Sequence, residues 1–485
     1  MIRNKKESFL KGVTYLLISQ IIIKVVGFAY KFYLTNKPGF GDSGNAIYSS
    51  GFQIYALLLA FSSTGVPNAI SKLVAERLAL GDVKGAYRTF KIAMITFSIL
   101  GIIGSILLFL GSKKIAEDWI QIPEAKYSLI ALSPSIFFVS ISSVFRGYFN
   151  GKQSFTVTAK SQTIEQIFKT FFTIIFVELV IYINRKDIYI MAGAANFATT
   201  IATVMSFVYI YFCYRSKNKE IEQEIIQTVN YKPIRLRKTI KKILSDSIPI
   251  SIGSVIASFN KNIDSLTVVR FLKRVTNEKE AIVQYGILSG KIDVLCSATL
   301  AINVAFVTAF APSIVKSFTK KDLTNTYKKI KIFILITILA GIPITIIMMF
   351  FPKEVLNILF PNANSGANYL KISSMSIIFM LLTQTVNSIL QALGKVNIPP
   401  ISLSIGIIFK LMCNVCLIPN PKFGILGAII GNIVYNIISF FISITILIYL
   451  LYFQDCKYKS KKINCKNKGR ALVQKVNWYM WKKKV

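Results

Sequence analysis

The stretch YRTFKIAMITFSILG (87–101) returns 240 residues later as YKKIKIFILITILAG (327–341). Tyr87 answers Tyr327, Lys91 answers Lys331 and Gly101 answers Gly341. At the same offset Lys113 meets Lys353, and close to it the Gly151-Lys152 pair meets Gly394-Lys395. Such a repeat marks a duplicated unit, so two halves of one plan are expected.

Composition decides the solvent. Hydrophobic residues fill 53% of the 485 positions, with 36 Phe, and only 16% are charged, a balance that belongs to an integral membrane protein. The formal net charge of +37 would suit nucleic acid if it formed a basic face on a soluble domain. Here the Lys and Arg residues lie mostly between apolar runs, so no nucleic-acid partner is expected.

Runs long enough to cross roughly 30 Å of hydrocarbon fall at 9–34, 46–66, 88–111, 125–149, 163–184, 187–213, 243–271, 282–316, 327–350, 367–392, 399–418 and 424–452. The expected fold is all-α, with about twelve transmembrane helices in two parallel six-helix lobes. Six is even, so both lobes enter from the same side, related by an axis along the membrane normal. Residues 1–213 make the first lobe, 214–242 a basic cytoplasmic linker, 243–452 the second lobe and 453–485 a basic cytoplasmic tail. The first run is too long for a signal peptide and lacks a small-residue cleavage site. The inner loops, YRSKNKEIEQEIIQTVNYKPIRLRKTIKK (214–242) and KSFTKKDLTNTYKKIK (316–331), are far more basic than short outer ones such as NRKD. This bias predicts a multi-pass protein of the cytoplasmic membrane with both termini inside.

Several charges sit where hydrocarbon is expected. A lysine at the centre of a spanning helix costs about 2.5–3.5 kcal/mol on insertion scales, so each needs a reason. In IIIKVVGFAYK (21–31), Gln20, Lys24, Gly27 and Lys31 share one helical face, which is expected to look at the lobe interface. The seventh run places Lys261 beside Asn260 and Asp264, the eighth carries Lys291 and Asp293, and the eleventh carries Lys410. Cations outnumber acids in the spans, which predicts a positive cavity for an anion. Lys24, Lys31, Lys261, Lys291 and Lys410 are the candidate ligands of an anionic headgroup. Gln20, Asn260, Asp264 and Asp293 are the candidate polar or coupling residues. Gly286 and Gly290 form a GxxxG close-packing signal. Cys413 and Cys416 lie in an apolar span with no second pair and no histidine, so neither a metal nor a catalytic residue is expected.

Five blocks in order carry a family resemblance: GNAIYSSGFQIYALLLAFSSTGVPNAISKLVAERLALGD (44–82), FRGYFNGKQSFTVTAKSQTIEQIFK (145–169), IPISIGSVIASFNKNIDSLTVVRFL (248–272), YGILSG (285–290) and ILQALGK (389–395). The chain resembles the stage V sporulation protein B branch of polysaccharide exporters. That branch is similar to the MurJ-type lipid II flippases of the multidrug/oligosaccharidyl-lipid/polysaccharide exporter superfamily. The resemblance implies two bundles around a cationic cavity and export of an undecaprenyl-pyrophosphate-linked precursor by alternating access, for peptidoglycan or spore cortex. It implies basic roles for Lys24 and Lys31 and places Asp264 in the family's seventh-helix motif. Such flippases usually carry helices 13 and 14, whereas this chain follows its twelfth run with a basic tail expected on anionic lipids, Trp478 and Trp481 at the interface.

The expected activity is therefore transport, not catalysis, with no cofactor and with the membrane potential as driving force. Coupling to Na+ or H+ through the acids is left open; histidine relays are excluded because the chain has no histidine. Partners expected are a polyprenyl-pyrophosphate-linked glycan, anionic lipids and the cell-wall synthesis machinery. The alternatives are an O-antigen-type flippase or a multidrug antiporter of the same fold, and then a membrane glycosyltransferase or polymerase. The cation excess argues against cationic drugs, and the short outer loops argue against an enzyme.

Overall fold

Each copy of the repeated helix starts on an aspartate. Asp82 accepts a hydrogen bond from the amide of Gly85 at 2.7 Å, and Asp322 accepts one from Asn325 at 3.1 Å. A carboxylate there satisfies N–H groups that the first helical turn leaves free.

The computed structural model describes residues 9–60, 62, 65–183, 187–226, 236–319 and 322–452. In chain order its helices are α1 (Phe9–Asn36), α2 (Gly41–Ala60), α3 (Val66–Ala79), α4 (Val83–Lys114), α5 (Ala125–Gly151), α6 (Phe155–Tyr182), α7 (Ile188–Ser216) and α8 (Asn218–Ile226). There follow α9 (Leu236–Leu272), α10 (Glu278–Ile287), α11 (Asp293–Thr319), α12 (Leu323–Phe350), α13 (Pro352–Leu359), α14 (Ala367–Ala392) and α15 (Ile398–Leu417). The last is α16 (Ile425–Tyr452). A π-helical turn, Ile115–Ile120, extends α4, and another, Leu288–Ile292, joins α10 to α11.

Among the described residues, nine helical segments are long and apolar enough to cross a membrane unaided. With α2–α3, α6 and α9 added, twelve crossings trace the expected fold. It differs in detail from the sequence reading. The expected second span, 46–66, falls on α2, which begins earlier at Gly41 and is followed by α3, and the eighth is interrupted by its π turn. Part of the basic stretch 214–242 is helical, in the end of α7, in α8 and in the start of α9. The tail 453–485, with the expected lipid contacts of Trp478 and Trp481, lies outside the described residues.

Within the first half, α5 packs against α2, α3, α4 and α7, and α6 packs against α1 and α7. In the second half α14 packs against α11 and α12, and α9 against α15. The halves meet where α2 touches α9 and α10, α3 touches α9 and α1 touches α11. Lipid tails offer helices little hydrophobic reward for associating, so close approach through small residues does much of this work. Gly101 of α4 lies against Phe137 and Ser140 of α5, and its repeat partner Gly341 lies against Ile378 and Leu381 of α14. Gly286 and Gly290 fit as the GxxxG signal anticipates: a Cβ on Gly286 would lie 1.8 Å from the Asp42 carbonyl oxygen, and one on Gly290 2.5 Å from Asn45 Cγ. On the outside, Ile99, Ile103, Leu107 and Leu110 of α4 and Leu339, Ile342, Ile346 and Phe350 of α12 are exposed, as apolar membrane-facing stripes require.

Gly147 and Gly151 form a second close contact, against α3. A Cβ on Gly147 would stand 2.9 Å from the Pro67 carbonyl and 2.8 Å from Ile70 Cβ. Gly147→Leu is expected to destabilise the protein by about 1–3 kcal/mol through overpacking, read as a lower midpoint of thermal unfolding in detergent. An unchanged midpoint would mean that α3 and α5 are not in this contact.

Candidate functional site

A cavity of about 1160 Å³ lies between the two helix groups, lined among others by Phe52 of α2, Asn68 of α3, Lys261 and Asp264 of α9 and Asp293 of α11. Its lining continues to Gln391, Asn397 and Pro399 at the turn from α14 to α15, on the face where α1 begins. At the opposite face, polar contacts tie the halves together. The Asn36 amide donates to the Leu359 carbonyl at 2.8 Å, Arg270 to that of Asp118 at 2.6 Å and Lys273 to that of Gln121 at 2.9 Å. The cavity thus runs toward one face and is bridged over at the other.

The candidate lysines divide into two kinds. Lys24 is exposed, Lys31 is half-buried, and both lie within electrostatic reach of Lys261. Lys31 donates to the Ser49 hydroxyl at 3.2 Å and stands 4.2 Å from the centre of the Tyr48 ring. Lys261 donates to the Ser297 hydroxyl at 3.1 Å. Among the described residues none of these three has a carboxylate at salt-bridge distance. They come from both halves and repel one another, which is the arrangement an anion would relieve.

Lys291 and Lys410 depart from the sequence expectation, because each is fully buried on a carboxylate. Lys291 lies 2.9 Å from Asp42 and donates to the Ala363 carbonyl at 2.8 Å and the Ser365 hydroxyl at 2.7 Å. Lys410 lies 2.7 Å from Asp264 and donates to the carbonyl and side-chain oxygens of Asn260 at 2.7 and 2.8 Å. Asn414 and Asn432 add amide hydrogen bonds to the Asp264 carboxylate at 3.2 and 3.3 Å. Asp264 is therefore compensated, and a buried pair so satisfied is a packing element, not a free ligand. Gln20 also departs, bonding Gln162 of α6 at 3.0 Å, while Gly27 faces Gln166. Half of the first-helix stripe thus packs within its own helix group. Asp293 and Asn260 do line the cavity.

Two groups escaped the sequence reading although their spans were recognised. Arg146 of α5 is buried, donating to Glu165 at 2.7 Å and to Ser161 and Ser206 at 3.0 and 2.9 Å. Lys169 of α6, only 6% exposed, faces aromatic rings: its ammonium is 4.0 Å from the centre of Phe52 and 4.9 Å from that of Tyr30. A lysine seven positions into an expected span was the available signal.

The chain matches the sequence profile of the family described as Polysaccharide biosynthesis protein over residues 9–318, and that of the MatE family over 292–416. It is 24% identical to Stage V sporulation protein B of Bacillus subtilis (strain 168) over 425 residues, covering 87% of this chain and 80% of that one. It is 25% identical to Lipid II flippase MurJ of the same organism over 432 residues, covering 85% and 78%. Among solved structures it resembles a multidrug resistance MATE family transporter of the MOP superfamily in its inward-facing conformation, with a TM-score of 0.69, 15% identity and coverage of 90% of this chain and 99% of that one. It also resembles a MOP superfamily transporter from Pyrococcus furiosus Vc1 (DSM3638), with a TM-score of 0.59, 15% identity and coverage of 92% and 97%. Matched over more than half its length, this multi-pass membrane protein belongs to the polysaccharide biosynthesis protein family.

Proposed function

We propose that the protein is a flippase, not an enzyme, which carries the pyrophosphate headgroup of a polyprenyl-linked glycan outward across the cytoplasmic membrane. The observation that carries this reading is that Lys24 and Lys31 of the first half each lie within electrostatic reach of Lys261 of the second, that none of the three has a carboxylate at salt-bridge distance among the described residues, and that Lys261 lines the cavity. A pyrophosphate must shed water to enter the bilayer, and fixed ammonium groups replace part of that hydration. The name Lipid II flippase borne by one relative supports a lipid II-like precursor, for wall or spore cortex. The lobes, residues 1–213 and 243–452, would rock about the cavity while the polyprenyl tail stays in lipid. With both termini and the basic linker inside, the face where α1 begins is cytoplasmic, and the cavity there stands open to substrate.

The membrane potential is a sufficient drive. Moving two negative charges outward across about 100 mV releases roughly 4.6 kcal/mol at about 2.3 kcal/mol per charge. Asp264 is already neutralised by Lys410, which leaves Asp293 as the candidate for coupling to H+ or Na+. An O-antigen-type glycan on the same lipid carrier fits the same cations. A cationic drug fits them poorly, since Lys24, Lys31 and Lys261 would repel it.

Lipid II translocation in cells depleted of their own flippase tests the reading. The parent is expected to restore it, and Lys24→Ala and Lys261→Ala at matched membrane abundance to lower it by about tenfold or more, since a hydrogen bond to a charged group contributes about 1.5–3 kcal/mol. A well-inserted parent that never restores translocation would remove lipid II as the substrate. Lys410 should behave differently. Lys410→Met strands the Asp264 carboxylate and is expected to cost about 3–5 kcal/mol of stability, most of it regained in Lys410→Met/Asp264→Leu. Equal thermal midpoints of parent and single variant would contradict the buried pair.

A further inference from the structure

Lys169 is a buried cation whose neighbours are rings. Its acidic neighbour one turn earlier, Glu165, is taken by Arg146 at 2.7 Å, and among the described residues no carboxylate reaches Lys169 itself. On α2, Tyr48 and Phe52 stack with ring centres 5.8 Å apart, and Tyr55 continues the row 5.7 Å beyond. Lys31 sits over Tyr48 and Lys169 over Phe52, within electrostatic reach of each other. Two buried polar atoms nearby also lack hydrogen-bond partners among the described residues. One is the hydroxyl of Thr173, one turn along α6 from Lys169. The other is the side-chain oxygen of Asn196, whose amide bonds the Tyr48 carbonyl at 3.2 Å.

Aromatic faces attract an ammonium without neutralising it. A carboxylate partner would have erased the field of these lysines, whereas the rings shelter the charge and keep it available. A cation–π contact is also weaker than a charge-assisted hydrogen bond to a phosphoryl oxygen, so an arriving phosphoryl group would win the exchange. Phe52 is the partition: it covers Lys169 and lines the central cavity.

We propose that Lys31 and Lys169 form a second phosphoryl subsite behind Phe52, which takes the distal phosphoryl group of a diphosphate while Lys24 and Lys261 hold the nearer one. This rests on the anion reading of the cavity and extends it to the selection of diphosphates over monophosphates. Phe52 turns aside when the ligand enters, and the unpartnered Thr173 hydroxyl stands one turn along α6 from Lys169.

Binding of farnesyl diphosphate and farnesyl monophosphate to the purified full-length protein in detergent tests this. The parent is expected to prefer the diphosphate by about tenfold or more. Lys169→Met abolishes the preference with the monophosphate affinity unchanged, and Lys169→Arg restores it. Unliganded thermal midpoints identify a variant that merely folds poorly, and the Arg variant then decides: a well-folded Lys169→Arg without the preference overturns the subsite. A preference that persists in a folded Lys169→Met overturns the subsite alone, as does an equal loss of both affinities. A parent that binds neither probe overturns the anion cavity together with it. No preference in the parent, with inorganic phosphate binding the parent and not Lys169→Met, keeps the phosphoryl subsite and assigns it to free phosphate.

Discussion

An ammonium group taken out of water has to be compensated, and the interior of this protein follows from the three ways it does so. Carboxylates hold Lys291 and Lys410. Aromatic rings hold Lys169 and, with a serine, Lys31. Lys261 lines the cavity, and Lys24 is exposed within electrostatic reach of it. The first solution removes the charge from the local field and the other two leave it there. The mixture concentrates positive charge in one region and cancels it elsewhere.

Fold and site were unequally legible. The repeat, the approximate spans and the GxxxG contact of Gly286 and Gly290 are local patterns, and local patterns survive in a linear reading. Even the caps Asp82 and Asp322 stand in register with the duplication. The partners of the buried lysines do not: Asp42 is 249 residues from Lys291 and Asp264 is 146 from Lys410, so nothing along the chain separates a paired lysine from an unpaired one. Lys169 stood in plain view inside a span. Its meaning depends on Tyr30 and Phe52, residues of two other helices that are placed against it only by the packing of α6.

Where each compensated pair sits then determines what it can do. Lys410 and Asp264 join α15 to α9, both in the second half, and their satellites Asn414 and Asn432 belong to the same half. A rocking motion of whole halves leaves such a network intact. Lys291 and Asp42 join the π turn before α11 to the start of α2, across the halves, at the end of the cavity that is bridged over. The same contact is reinforced by the close approach of Gly286 to the Asp42 carbonyl. The pair within a half binds its helices to one another, the pair between halves ties the face that is bridged over, and Lys24, Lys31 and Lys261 are left without a carboxylate at salt-bridge distance among the described residues. The same residue type thus fills three roles, and the position of its partner, not its own place in the chain, sets which.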